Sequence, residues 1–369
     1  MTDKKTYKII ISGGGTGGHV FPAIAIANGL KEKLASAEFL FVGANGKLEM
    51  TKVPEAGYKI IGLNISGFQR SLSFKNLLFP FKLIFSLLKS FRIVRKFKPD
   101  IAIGVGGYAS GPLLYAASRR KVPTVLQEQN SYPGITNKLL SKRAKKICVA
   151  YDGLEEYFPK DKIIKTGNPV RQTIGNCSYL QNDAKIHFKL DFEKPLILVV
   201  GGSLGARTLN DSLFGEIEKL NHSGAQVLWQ CGKLYYNEFK EKLANGNYPN
   251  VHLTQFIKEM DIAYTAADVI ISRAGALSIS ELCIIGKPVI LVPSPNVSED
   301  HQTKNAMALV DKNAALFVKD ADAREKLVDT ALALLNNNSK MEHLSKNIKT
   351  LAQPNATESI VEQIIKLMN

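Results

Sequence analysis

The 369 residues include 45% hydrophobic and 22% charged side chains with a net charge of +15, the balance of a soluble globular protein long enough for two domains. No uncharged apolar run reaches about 18 residues, so no membrane span is expected, and Cys148, Cys177, Cys231 and Cys283 are too widely spaced for a disulfide frame or a CxxC zinc site. The positive excess asks for an anionic partner: nucleic acid, an acidic lipid surface or a phosphorylated ligand.

The N-terminal stretch MTDKKTYKIIISGGG runs from a short apolar strand into glycine instead of a cleavage site, so it is not a signal peptide and a cytosolic protein is expected. Tyr7–Ser12 reads as a strand, GGGTGG at 13–18 as its loop and Pro22–Leu34 as a helix. The loop holds G-x-G-x-x-G, a pattern that lets backbone approach a diphosphate at a helix N-terminus. A dinucleotide site also needs an acid closing the second strand, and Phe39–Val42 ends in Gly43, Ala44 and Asn45. The NAD reading therefore loses support. His19 follows the last glycine at the carboxyl end of the first strand, where α/β sheets place ligands; it is a candidate base or substrate contact, set against the ordinary structural role of a lone histidine.

Tyr58–Leu63 is a further strand. Phe74–Phe97 follows, FKNLLFPFKLIFSLLKSFRIVRKF, with recurring lysine and arginine and no acid. One reading is a core-facing helix with a solvated basic face, broken or kinked near Pro80. The other, favoured by the excess of Phe and Leu, is a helix lying on an anionic bilayer surface. Nucleic acid is disfavoured, because those apolar residues would serve no purpose there. Pro99–Val105 is a strand, Ala109–Arg120 a helix, and Thr124–Leu126 a strand ending in Glu128, Gln129 and Asn130, which either contact sugar and phosphate hydroxyls or cap the next loop. After strands at Ile147–Val149 and Ile163–Lys165, the segment from Gly167 to Arg171 and about thirty polar residues beyond it mark the best domain boundary.

The second half repeats this grammar: strand Leu196–Val200, glycine loop GGSLGA at 201–206 with Ser203 as an added donor, and a helix over Thr208–Leu220. Val227–Gln230, Val251–Leu253, Ile270–Ser272, Pro288–Val292 and Ala315–Val318 read as strands. Leu277–Ile285, Ala323–Leu335, Ser339–Leu351 and Thr357–Met368 read as helices. Glu281, about one turn into its helix, either accepts both hydrogens of a ribose diol or closes an S-x-x-E capping box with Ser278. The expected fold class is α/β, two Rossmann-like domains with parallel sheets facing across a cleft. The expected division is 1–167, with helix 355–369 packing back on it, and 168–354.

Taken together, GGGTGGH at 13–19, GVGGYASGP at 104–112, EQN at 128–130, GNPVR at 167–171, GGSLGA at 201–206 and RAGALSISE at 273–281, with Gln302 beyond, occur in an order that resembles the MurG family, the membrane-associated N-acetylglucosaminyltransferases of bacterial peptidoglycan synthesis. The resemblance spans nearly the whole chain and implies a GT-B fold without a DxD metal site and no cofactor. It implies transfer of N-acetylglucosamine from UDP-N-acetylglucosamine to the muramyl 4-hydroxyl of undecaprenyl-linked lipid I, with inversion. Thr16, Gly17, Gly18, Asn130, Arg171, Ser203, Ile257, Ala276, Leu277, Ser278, Ile279, Ser280, Glu281 and Gln302 match the family's donor-binding positions, and His19 its proposed base. The first domain would take the acceptor and face the membrane, and the second would bind the UDP-sugar. The implied setting is peripheral, at the cytoplasmic face of the plasma membrane, on an anionic surface and beside a cell-wall synthesis complex. Competing readings are another GT-B transferase with a lipid acceptor, a UDP-sugar epimerase, and a non-catalytic UDP-sugar-binding module.

Overall fold

The computed structural model describes residues 6–66, 79–171 and 173–368. The chain forms two compact units, Met1–Val170 with Asn355–Asn369, and Arg171–Pro354. The first is built on β1 (Lys8–Ser12), β2 (Glu38–Ala44), β3 (Lys59–Leu63), β4 (Ile101–Gly104), β5 (Thr124–Glu128), β6 (Lys146–Val149) and β7 (Ile163–Lys165). They form a seven-stranded sheet in the order β3-β2-β1-β4-β5-β6-β7, with every pairing parallel. The second carries β8 (Leu196–Val200), β9 (Gln226–Gln230), β10 (Val251–Thr254), β11 (Val269–Ser272), β12 (Val289–Leu291) and β13 (Leu316–Phe317). Its six-stranded parallel sheet runs β10-β9-β8-β11-β12-β13.

Helices cover both faces of each sheet, which is why the strands read as unbroken apolar runs. In β1, Ile9 and Ile11 enter one core cluster and Ile10 another, the two-residue alternation of a strand. The first cluster also contains Ile360, Val361 and Ile364 of the terminal helix Ala356–Lys366, which packs on the helix Gly17–Lys33. A Cβ at Gly29 would lie 3.0 Å from side-chain atoms of Thr357 and Val361, so the two helices approach closely there. Strand order reverses between β1 and β4 in one sheet and between β8 and β11 in the other. Ligands of such sheets usually sit outside the carboxyl ends of the strands at switch points of this kind.

Several element boundaries differ from expectation. The first helix starts at Gly17, not Pro22, so the last glycines and His19 form its opening turns. The expected Thr208–Leu220 helix is two, Arg207–Gly215 and Ile217–His222, parted where Glu216 leaves helical geometry just after a glycine. The supposedly irregular segment after Arg171 contains the helix Gln181–His187. Pro80 is the second residue of the described helix Phe79–Phe97, and the stretch just before it, which the expected break or kink also involves, lies outside the described residues. Residues 74–78 of the expected helix lie outside the described residues.

Candidate active site

In the first unit the loops after β1 and β4 pack directly on each other. The Gly14 N–H donates to the Gly106 carbonyl at 3.3 Å, and a Cβ at Gly107 (φ +90°) would lie 2.3 Å from the Gly14 carbonyl oxygen. Beneath the loop sits a carboxylate absent from the sequence reading. Glu49, 1% exposed, accepts the Gly15 N–H at 2.8 Å and the Ala44 N–H at 2.9 Å. An added Cβ at Gly14 would fall 2.2 Å from Glu49 Oε1, so the glycine makes room for the acid. A fixed negative group that consumes a loop amide opposes a dinucleotide pyrophosphate there.

Thr16 is the N-cap residue of Gly17–Lys33, with Gly17 and Gly18 as its first two residues. Half-buried His19 places Nδ1 2.9 Å from Gln129 Oε1. Asn130 lies just beyond β5, with its backbone and side-chain N–H groups both directed at Glu128 Oε1. Glu128 also accepts from the Gly134 N–H at 3.2 Å and Asn137 Nδ2 at 2.8 Å. The loop-capping reading therefore holds for Glu128, whereas Gln129 faces the histidine.

In the second unit, Ser203 follows β8, and Ala276, Leu277, Ser278, Ile279, Ser280 and Glu281 open the helix Ala276–Ile285 after the neighbouring β11. This helix has Gly275 as its N-cap residue, so Ser278 is inside it and the capping-box alternative for Glu281 is ruled out. Glu281 is 7% exposed. Its Oε1 pairs with Arg171 Nε at 3.1 Å and its Oε2 accepts from the buried Tyr264 hydroxyl at 3.2 Å. Burial pushes the Glu281 carboxyl pKa up, against the opposing pull of Arg171 and Tyr264. Ile257, beyond β10, donates its N–H to Gln230 Oε1 at 2.8 Å. Gln302, in the first turn of the helix His301–Val310, accepts the Ser294 N–H at 2.9 Å. The expected residues thus group as Thr16 to His19 on one helix start, Asn130 with Glu128, and Arg171 with Glu281.

The sequence reading also passed over Tyr264, and named Arg273 only as the first residue of RAGALSISE, with no role of its own. Arg273 Nη1 donates to the Val292 and Pro293 carbonyls at 3.0 and 3.2 Å and pairs with Asp320, tying the loop after β11 to that after β12. Glu49, Gln129 and Tyr264 share one property: each acts on a partner distant in the chain, and only the EQN motif marked any of them beforehand.

On the first unit's surface, Phe79–Phe97 leaves Phe81, Ile84, Phe85 and Leu88 more than half exposed, one stripe at helical spacing. Arg92, Arg95 and Lys96 are exposed on the same helix. No described helix is long and apolar enough to cross a membrane.

Two parallel-sheet α/β units, each with a glycine loop at its switch point, have the GT-B-type fold, and the family match makes the class a glycosyltransferase. Residues 9–149 match the glycosyltransferase family 28 N-terminal domain and residues 196–364 its C-terminal domain, and the chain belongs to that family. It is 56% identical to the UDP-N-acetylglucosamine–N-acetylmuramyl-(pentapeptide) pyrophosphoryl-undecaprenol N-acetylglucosamine transferase of Flavobacterium psychrophilum, over 98% of each chain. The protein of the same name from Cytophaga hutchinsonii is 56% identical over 100% of this chain and 99% of its own. The crystal structure of Acinetobacter baumannii MurG superposes with a TM-score of 0.79 at 29% identity, covering 98% of this chain and 100% of that one. A Neisseria meningitidis UDP-GlcNAc 2-epimerase shares the fold alone, with a TM-score of 0.65 at 16% identity over 98% of this chain and 100% of its own.

Proposed function

We infer that the chain moves N-acetylglucosamine from UDP-N-acetylglucosamine to the 4-hydroxyl of the muramyl sugar of lipid I, giving lipid II. The observation that carries this is 56% identity, end to end, with transferases named for that reaction. The first unit takes the acceptor and the second the donor. His19 Nε2 accepts the hydroxyl proton as the oxygen attacks the anomeric carbon. The bond from that carbon to the diphosphate breaks, and UDP leaves with the electron pair. Attack from the face opposite UDP turns an α-linked donor into a β-linked product.

Charge building on the diphosphate is met by amides at the start of Ala276–Ile285, by Ser203 and by Arg171. Arg171 is 54% exposed at its side chain, so it is able to exchange its carboxylate partner for the diphosphate. Glu281, held from behind by Tyr264, receives the ribose diol. Since the Ile257 N–H is already donated to Gln230, uracil recognition there falls to the carbonyl. Gln302 adds a further donor contact in the second unit. The apolar stripe of Phe79–Phe97 rests on an anionic membrane at its cytoplasmic face, with the nearby basic residues at the lipid phosphates.

The test is UDP release measured with a lipid I analogue and a panel of UDP-sugars. Release that requires the lipid and prefers UDP-N-acetylglucosamine supports the reading. Conversion of the donor to a 2-epimer without lipid, or donor binding with no release, overturns it.

A further inference from the structure

We propose that Gln129 is the positioning residue that holds His19 as the Nδ1–H tautomer, leaving Nε2 as the proton acceptor. This deepens the reading of His19 as base and rests on it only for its catalytic consequence. The starting point is two backbone carbonyls, which accept hydrogen bonds and never donate. Gln129 Nε2 lies 2.8 Å from the Val105 carbonyl oxygen and 3.3 Å from that of Gln127, and also contacts Gln127 Oε1. Reversing the amide would set Oε1 against these oxygens, so the nitrogen must point at them and Oε1 must face His19.

The other end of the network agrees. Asn168 Nδ2 donates to the Gln129 carbonyl at 3.0 Å, which turns Asn168 Oδ1 toward Gln127 Nε2, also at 3.0 Å. That leaves Gln127 Oε1 to receive Gln129 Nε2. Every amide orientation is thereby set from a backbone carbonyl. Gln127, Gln129 and Asn168 are at most 1% exposed, so water does not compete for these contacts.

With Oε1 of Gln129 fixed 2.9 Å from His19 Nδ1, the proton of the neutral ring belongs on Nδ1. The ring is also confined from the β4 loop, since a Cβ at Gly106 would lie 2.8 Å from Cε1 and Nδ1. A neutral amide sets the tautomer without adding a negative charge beside the ring. When Nε2 takes the hydroxyl proton, both nitrogens carry hydrogen, and the ring returns the proton to water after UDP departs.

The test uses [15N]histidine-labelled full-length protein, with the His19 signals assigned by comparison with His19→Asn. In the neutral ring, wild type should show a protonated Nδ1 and an unprotonated Nε2. Gln129→Met should lose that bias and lower kcat about 10–100-fold, the range for losing an orienting partner, with KM for UDP-N-acetylglucosamine unchanged. A wild-type ring protonated on Nε2 overturns the proposal, and that measurement does not depend on Gln129→Met folding. A tautomer unmoved by Gln129→Met overturns it as well. If the tautomer shifts and kcat does not, the tautomer assignment is supported and the base role of His19 fails instead.

Discussion

Glu281 is a buried carboxylate whose proposed ribose role would come at a cost in stability. Burial raises its carboxyl pKa in the folded chain above the unfolded value. Below the unfolded value the group is neutral in both states and carries no penalty. As pH rises through the window between the ordinary carboxylate value and the raised folded one, the folded state must ionise a desolvated group, and stability falls. Glu281→Gln should therefore raise the melting temperature of the second unit at pH 8, with the gain shrinking below pH 5, while donor affinity drops. Trp229, the chain's single tryptophan and fully buried in that unit, reports the transition. A variant less stable than wild type at pH 8 contradicts the burial account; unchanged donor affinity contradicts the ribose role. Glu49 is a buried acid whose two oxygens accept two backbone N–H groups, one each. Glu49→Gln leaves one of them facing an amide nitrogen, at a cost of about 1–3 kcal/mol. Faster hydrogen exchange at the Gly15 amide and a lower melting temperature are the expected outcomes; no change in either would mean that the acid does not support the loop. Glu281 stood out as a candidate because RAGALSISE surrounds it. Glu49 was not, because its partner Gly15 lies 34 residues away and nothing local distinguishes a buried glutamate from a solvated one.

At the scale of elements, the β–loop–α units were readable because apolar strands and glycine loops alternate so regularly, as at Leu196–Ala206. Short helices such as Gln181–His187 were not, since so few residues show little periodicity and tertiary packing decides them. The β4 loop illustrates packing that a sequence leaves silent: Gly106, at φ +99°, has the His19 ring where a Cβ would go. Gly106→Ala should lower kcat severely while leaving donor affinity in the second unit intact, as read by calorimetry; a near-normal kcat would show that the ring is not confined there. The helix Phe79–Phe97 makes a separate prediction. Phe81→Ser with Phe85→Ser should reduce co-sedimentation with anionic vesicles, and wild-type binding should weaken with salt because Arg92, Arg95 and Lys96 supply an electrostatic share. Binding indifferent to salt and to both substitutions would make the stripe an ordinary solvent face.

For the whole molecule, the labour of the proposed reaction is divided between two parallel-sheet units, the second taking the nucleotide sugar and the first, with His19, the alcohol. The measurement that bears most directly on this is turnover of a lipid I analogue by wild type and His19→Ala at saturating UDP-N-acetylglucosamine, with the new glycosidic bond assigned by NMR. The account predicts a β-linked product from wild type, and kcat lower by about 10²–10⁴-fold in His19→Ala with donor affinity preserved. An α-linked product, or a His19→Ala enzyme that turns over at the wild-type rate, would contradict it.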